Sequence, residues 1–213
     1  GEKNGLDFIT SRFNKIKNPN IKIIFDLANF YKNSKKYEKA VEHYSQIIAM
    51  VDEESEFKSD LLYRRGSSYE RLKNFKKSDE DFINSMKSNP DDAYVLNYLA
   101  YSWLERDYKI DVAMKMLKKA YSIRKDDPYI IDSIGWAHYL KNDFIEAEKY
   151  LRRALELMPF DPIVNDHYGD ILWKLNSKLQ ARYFWKNVLG FKDADDDIKK
   201  KINIKLLEGL KNS

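Results

Sequence analysis

The chain has 213 residues, 43% of them hydrophobic, and its 38 basic residues nearly balance 34 acidic ones for a net charge of +4. Five prolines, seven glycines and no cysteine exclude a loop-dominated or disordered chain, a disulfide framework and thiolate metal sites. A nucleic-acid binder concentrates positive charge on one face. Here Lys35-Lys36, Lys76-Lys77, Lys118-Lys119 and Lys199-Lys200-Lys201 are scattered through different segments, as solvated helix faces and turns would be.

No apolar run reaches the length of a membrane span, and no signal-peptide pattern opens the chain. It begins on Gly1 rather than methionine, as expected of a processed or excised piece whose targeting segment lies outside it.

Residues 1–20 are expected to form an N-terminal helix or the remnant of a preceding repeat, with Phe8, Phe13 and Ile16 covering the front of the first helix pair. From residue 21 onward apolar residues recur at three and four, the period of amphipathic helices. Tyr44-Ile47-Ile48, Leu117-Ala120-Tyr121 and Leu151-Ala154-Leu155 show it. Sustained period-two alternation is absent, so no sheet is expected. Pro19, Pro90, Pro128, Pro159 and Pro162 fall between the periodic segments, where a fixed φ and a missing N–H start helices rather than break them.

The segments superimpose as five helix pairs, at about 21–56, 57–92, 93–127, 128–161 and 162–194. In the first helix of each pair Ala28, Gly66, Ala100, Gly135 and Gly169 share one position, and three residues later stand Tyr31, Tyr69, Trp103, His138 and Leu172. In the second helix Ala40, Ser78, Ala113, Ala147 and Ala181 are equivalent, followed four residues on by Tyr44, Phe82, Leu117, Leu151 and Trp185. Two helices joined by a short turn approach closely only where a crossing side chain is small, and a large residue one turn later fills the adjoining hollow.

Departures are local. The junction from Val51 to Asp60 departs from the period by four residues, and the third unit has one extra residue near Asp107. Arg65 in the second unit, and Asn165 and Lys178 in the fifth, replace apolar residues. After the fifth unit, Asp195-Asp196-Asp197 precede a helical run over 195–213; carboxylates suit the N–H groups and dipole of a helix start, and this helix is expected to cap the last apolar face.

The pattern of small residue, aromatic, alanine and proline over 34 residues resembles the tetratricopeptide repeat. The register is fullest from Asp127-Pro128 to Pro159, where Ile134-Gly135-Trp136, Tyr139, Phe144, Ala147, Leu151 and Ala154 fall in place. The runs 96–103, 129–136 and 165–170 are also similar to C-terminal repeats of bacterial, notably alphaproteobacterial, repeat proteins, including periplasmic lipoprotein adaptors. The resemblance implies an all-α right-handed superhelical solenoid with terminal capping helices. It also implies a scaffold or adaptor role and a periplasmic or cell-envelope location; composition equally admits the cytoplasm.

The residues offer no catalytic constellation, so the chain is read as a non-enzyme without metal or cofactor. His43, His138 and His167 are far apart, and His138 falls at a packing position. The carboxylates after Asp193 start like a calcium loop but meet Ile198 and Ile204 where that loop needs glycine and glutamate. No glycine-rich phosphate loop exists. What remains is the inner wall made by the first helices. Its candidate groove residues are Asn97, Tyr98, Tyr101, Asp132, Ser133, Trp136, Tyr139, Asp166, His167, Asp170 and Trp173. Rings beside short polar groups suit a polypeptide segment, because rings bury area at little entropic cost and amides or carboxylates pair with an extended backbone. Three aspartates favour a basic or amide-rich segment. The competing expectation is a structural module that self-associates through exposed repeat faces, or rings that only fill the seam between neighbouring helices.

Overall fold

The computed structural model describes residues 2–13, 15–53 and 55–210, with side chains from residue 8 onward. Its regular structure is entirely helical: α1 (Glu2–Phe13), α2 (Ile21–Asn33), α3 (Tyr37–Ile48), α4 (Glu56–Arg71), α5 (Phe75–Ser88), α6 (Ala93–Leu104), α7 (Ile110–Ile123), α8 (Pro128–Leu140), α9 (Phe144–Leu157), α10 (Pro162–Lys174), α11 (Lys178–Val188) and α12 (Asp196–Glu208). No strand occurs among the described residues. The chain divides into two compact units, Gly1–Val95 and Leu96–Ser213.

Within the first unit α2 packs on α3, α3 on α4 and α4 on α5. Ile24, Leu27, Ala28, Tyr31, Ala40, Tyr44, Ile47 and Leu61 form a closed core. Within the second unit α8 packs on α9 and α10 on α11, and α12 closes against α10 and α11. There Leu151, Ile171, Ala181, Trp185 and Val188 are fully buried, joined by Ile198 and Ile202 of α12.

The small positions do what close packing requires. Ala28, Ala40, Ser78, Ala100, Ala113, Ala147 and Ala181 have no exposed surface. A Cβ added at Gly135 would lie 2.7 Å from Leu151, and one at Gly169 would lie 2.4 Å from the Trp185 ring. In these two pairs the large residue one turn beyond the small position of the second helix thus occupies the space that the glycine of its partner leaves open.

Start signals are side-chain caps on the first helices. Asn20, Ser55, Asp127, Asp161 and Asp195 accept hydrogen bonds from the first turns of α2, α4, α8, α10 and α12, and Asp92 does the same for Tyr94 and Val95 at the start of α6. Such caps satisfy N–H groups that have no partner within the helix.

The turns inside each pair share one device. Lys35, Lys73, Asp107, Asn142 and Asn176 all adopt positive φ. The residue after each donates its N–H to the carbonyl of Tyr31, Tyr69, Trp103, His138 or Leu172 respectively, at 2.8–3.0 Å. This is the Schellman ending, which needs a left-handed residue just past the helix. The extra residue of the third unit is absorbed here, because Lys109 is left-handed as well.

The polar departures are paired. Arg65 donates two hydrogen bonds, at 2.8 and 2.7 Å, to the buried Asp81 carboxylate and a third to Ser45 at 3.0 Å. Asn165, 1% exposed, donates to the carbonyls of Pro159 and Asp161. His138 stacks on Tyr150 and lies 2.9 Å from Asp143.

Candidate functional site

The candidate wall residues all belong to the second unit and stand on α6, α8 and α10. Asn97, Tyr98, Tyr101, Trp136, Tyr139 and Trp173 are half-buried. Asp132, Ser133, Asp166, His167 and Asp170 are at most 4% exposed. The structure therefore separates the eleven into a partly open aromatic group and a closed polar group.

The aromatic group is ordered by stacking. Trp136 lies parallel to Tyr139 at a centroid distance of 4.6 Å and parallel to His167 at 4.1 Å. Tyr101 leans on His167 at 6.3 Å. Trp136 and Tyr139 are on α8, and His167 reaches them from α10, so two successive first helices are stitched by one stack. Offset or tilted ring pairs of this kind contribute about 0.5–1.5 kcal/mol beyond the area they bury.

The polar group is satisfied internally. His167 Nδ1 lies 2.9 Å from Asp132 Oδ2, and since an ionised carboxylate only accepts, the imidazole donates. Burial pushes the His167 pKa down, but the Asp132 carboxylate and its hydrogen bond outweigh that, and the net shift is upward. The Ser133 hydroxyl donates to the Tyr129 carbonyl of its own helix at 2.9 Å. Lys205 of α12 is enclosed between Asp166, with which it forms a short ion pair, and Asp170, at 2.7 and 2.8 Å. Asp170 also accepts from Trp185 Nε1 at 3.0 Å. Burial, reinforced by Asp166, raises the Asp170 pKa to about 6 even though Lys205 opposes the shift. Burial, followed by these two aspartates, also drives the Tyr139 hydroxyl upward.

The expectation that the three aspartates attract a basic segment thus meets a hydrogen-bonding partner already in place at each: His167 at Asp132, and Lys205 at Asp166 and Asp170. Trp173 is engaged too. The Lys178 ammonium sits 4.0 Å from its ring centroid and the Arg182 guanidinium 5.4 Å. Gly209, at φ 73°, caps α12 so close that a Cβ there would lie 2.1 Å from the ring. Two polar atoms of the wall, Asn97 Oδ1 and Trp136 Nε1, are buried without a hydrogen-bond partner among the described residues.

Sequence reasoning missed Lys205, yet a signal existed. Contacts between successive first helices recur at a separation of 35 residues: Arg64 donates to Asn29 at 3.1 Å, His167 meets Asp132, and Lys205 meets Asp170. A period plus one therefore marks the residue that reaches back to the preceding inner helix, and Lys205 stands at that place.

Family models for the tetratricopeptide repeat match residues 21–50, 59–92 and 128–161. Together with the glycine crossings, Schellman turns and paired helices, these matches show that the chain carries tetratricopeptide repeats. Over 111 residues it is 34% identical to the TPR repeat-containing protein PA4667 of Pseudomonas aeruginosa, a match covering 52% of this chain but only 19% of that protein. Its backbone is similar to that of TTC0263, a thermophilic TPR protein of Thermus thermophilus, with a TM-score of 0.72 and 16% identity over 88% of this chain and 100% of that one. It is also similar to Pseudomonas aeruginosa pilF, with a TM-score of 0.67 and 17% identity over 96% of this chain and 87% of that one. At these identities the two structures show the fold alone.

Proposed function

We propose that this protein is a non-enzymatic interaction scaffold whose second unit holds a segment of another polypeptide against the inner faces of α6, α8 and α10. The tetratricopeptide-repeat fold generally mediates protein–protein interaction; the finer assignment rests on one observation. The rings of Tyr139, Trp136 and His167 form a stack whose base is clamped by Asp132, so an aromatic platform is held ready before any partner arrives. Preorganisation lowers the entropic cost of binding. In this reading Tyr98, Tyr101, Trp136 and Tyr139 touch the segment. The buried Asp132, Ser133, Asp166, His167 and Asp170 position the platform rather than contact the guest.

The test is selection of binding peptides on the full chain, followed by mapping with NMR and titration of a Tyr101→Ala/Trp136→Ala variant. Perturbations centred on α6 and α8, with binding weakened at least about tenfold (roughly 1.4 kcal/mol) in the variant, are expected. Peptides that perturb other surfaces and bind the variant unchanged would remove the assignment.

A self-association module is favoured by a different observation. Phe160, just before α10, and Leu179 and Tyr183 of the last pair are 76%, 86% and 63% exposed, although the residues equivalent to Tyr183 in the other pairs are Glu42, Glu80, Lys115 and Lys149. Concentration-dependent light scattering without any partner is the result that reading requires.

A further inference from the structure

The first unit carries a recess separate from the aromatic groove. It has a volume of about 450 Å³ and is lined by α4, the end of α5 and the start of α6. Its floor is neutral and closed, because Ser59 and Ser85 each donate to the other's carbonyl at 2.9 Å. Its walls are Tyr63 and Tyr94, and its charged groups are Glu56, Asp60, Asp92 and Arg64. Arg64 is committed, donating to Asp60 at 2.8 Å and to Asn29 at 3.1 Å. Glu56 and Asp92 have no ion-pair partner among the described residues. Of the two, Asp92 also caps α6 through one oxygen. The negative field reaches the wall: burial first, and the Asp92 carboxylate next, raise the Tyr63 hydroxyl. Tyr63 already tolerates a cation, with the Lys32 ammonium 5.8 Å from its ring centroid.

We infer that this recess receives one basic side chain, arginine or lysine, of a bound polypeptide. Charge complementarity selects the occupant. Three carboxylates face one guanidinium that is itself neutralised, and the two tyrosines supply ring faces on which a cation is attracted. The second unit supplies a contrast within the same chain, since its inner carboxylates are each filled by His167 or Lys205 whereas Glu56 and Asp92 are not. By register Asp60 and Tyr63 occupy the inner-face positions that Tyr129 and Asp132 occupy in α8. The inference deepens the scaffold reading, on which it rests, by assigning a second contact, in the other unit, to a residue class.

The experiment uses the full chain and three single-residue probes: the N-acetyl amides of arginine, lysine and norleucine. Binding is followed by the ring resonances of Tyr63 and Tyr94. A saturable shift is expected with arginine or lysine, weakening as ionic strength rises, and none with norleucine. A Glu56→Gln/Asp92→Asn variant keeps the cap, since asparagine caps as well as aspartate, and is expected to weaken the basic probes about tenfold or more with unchanged circular dichroism. Equal binding by norleucine, unaltered affinity in the variant, or no shift with either basic probe would overturn the inference. The Tyr101→Ala/Trp136→Ala variant is expected to bind the probes like the parent, so failure of the aromatic platform and failure of the recess read out separately.

Discussion

At the scale of single residues, the pair formed by Asp132 and His167 has a definite pH signature. The histidine is raised by its carboxylate despite burial. Its stabilising contribution is therefore fully present below the ordinary histidine value of about 6.5 and is lost as pH rises through the higher folded-state value. Asp132→Asn removes the charge that holds the proton. In NMR titrations the His167 ring is expected to titrate above the ordinary value in the parent and markedly lower in the variant. The variant should also lose stability chiefly on the acid side of that window, measured by urea unfolding at about pH 6 and about pH 8, either side of the ordinary histidine value. An unchanged titration in the variant would mean that another group sets the shift. Both residues were legible in the sequence as wall residues. That each consumes the other was not, because a side chain's partner depends on which helix lies beside it.

At the scale of elements, helix starts were readable and helix ends were not. Asp127 before Pro128 and Asp161 before Pro162 follow the chemistry of capping, and both cap as the residue types require. The left-handed endings at Lys35 and Lys73 carry no residue type to announce them; Asp107, Asn142 and Asn176 belong to types that tolerate that conformation more readily. Tertiary packing imposes the turn, and the side chain bears the strain. Lys73→Gly is therefore expected to stabilise the chain by about 1 kcal/mol, since glycine adopts this φ without a Cβ penalty. Denaturant midpoints read the change; a loss of stability would show that Lys73 contributes contacts worth more than the strain. Arg65 illustrates the same limit differently. As an isolated departure it weakened the expected packing of the second pair, but Asp81 supplies a buried partner from the facing helix.

At the scale of the whole chain, each unit owns a buried core, and in a repeat array each pair gains its stability from its immediate neighbours. Local damage should stay local. Gly169→Ala places a methyl 2.4 Å from the fully buried Trp185 ring. Such overpacking costs about 1–3 kcal/mol, against a helix-propensity gain of about 1 kcal/mol for alanine over glycine. Overpacking should prevail here, whereas at Gly66 the nearest atoms stand at 3.2 Å and the two effects should nearly cancel. Hydrogen exchange is expected to show faster opening of α10, α11 and α12 in Gly169→Ala, with amides of Gly1–Val95 unaltered. Uniform acceleration throughout would contradict the local picture.

The sequence by itself determined the helical class, the repeat period, the crossing residues and most helix starts. All of these follow from local periodicity and from side-chain size, properties that each residue carries with it. Only the tertiary structure decided which inner-wall groups remain open. Asp166 and Asp170 read as waiting carboxylates until α12 brings Lys205 between them, and Glu56 and Asp92 stand far apart in the sequence until the recess gathers them beside two tyrosines. Charge neutralisation is a matter of distance across helices, and distance is what a linear chain does not state.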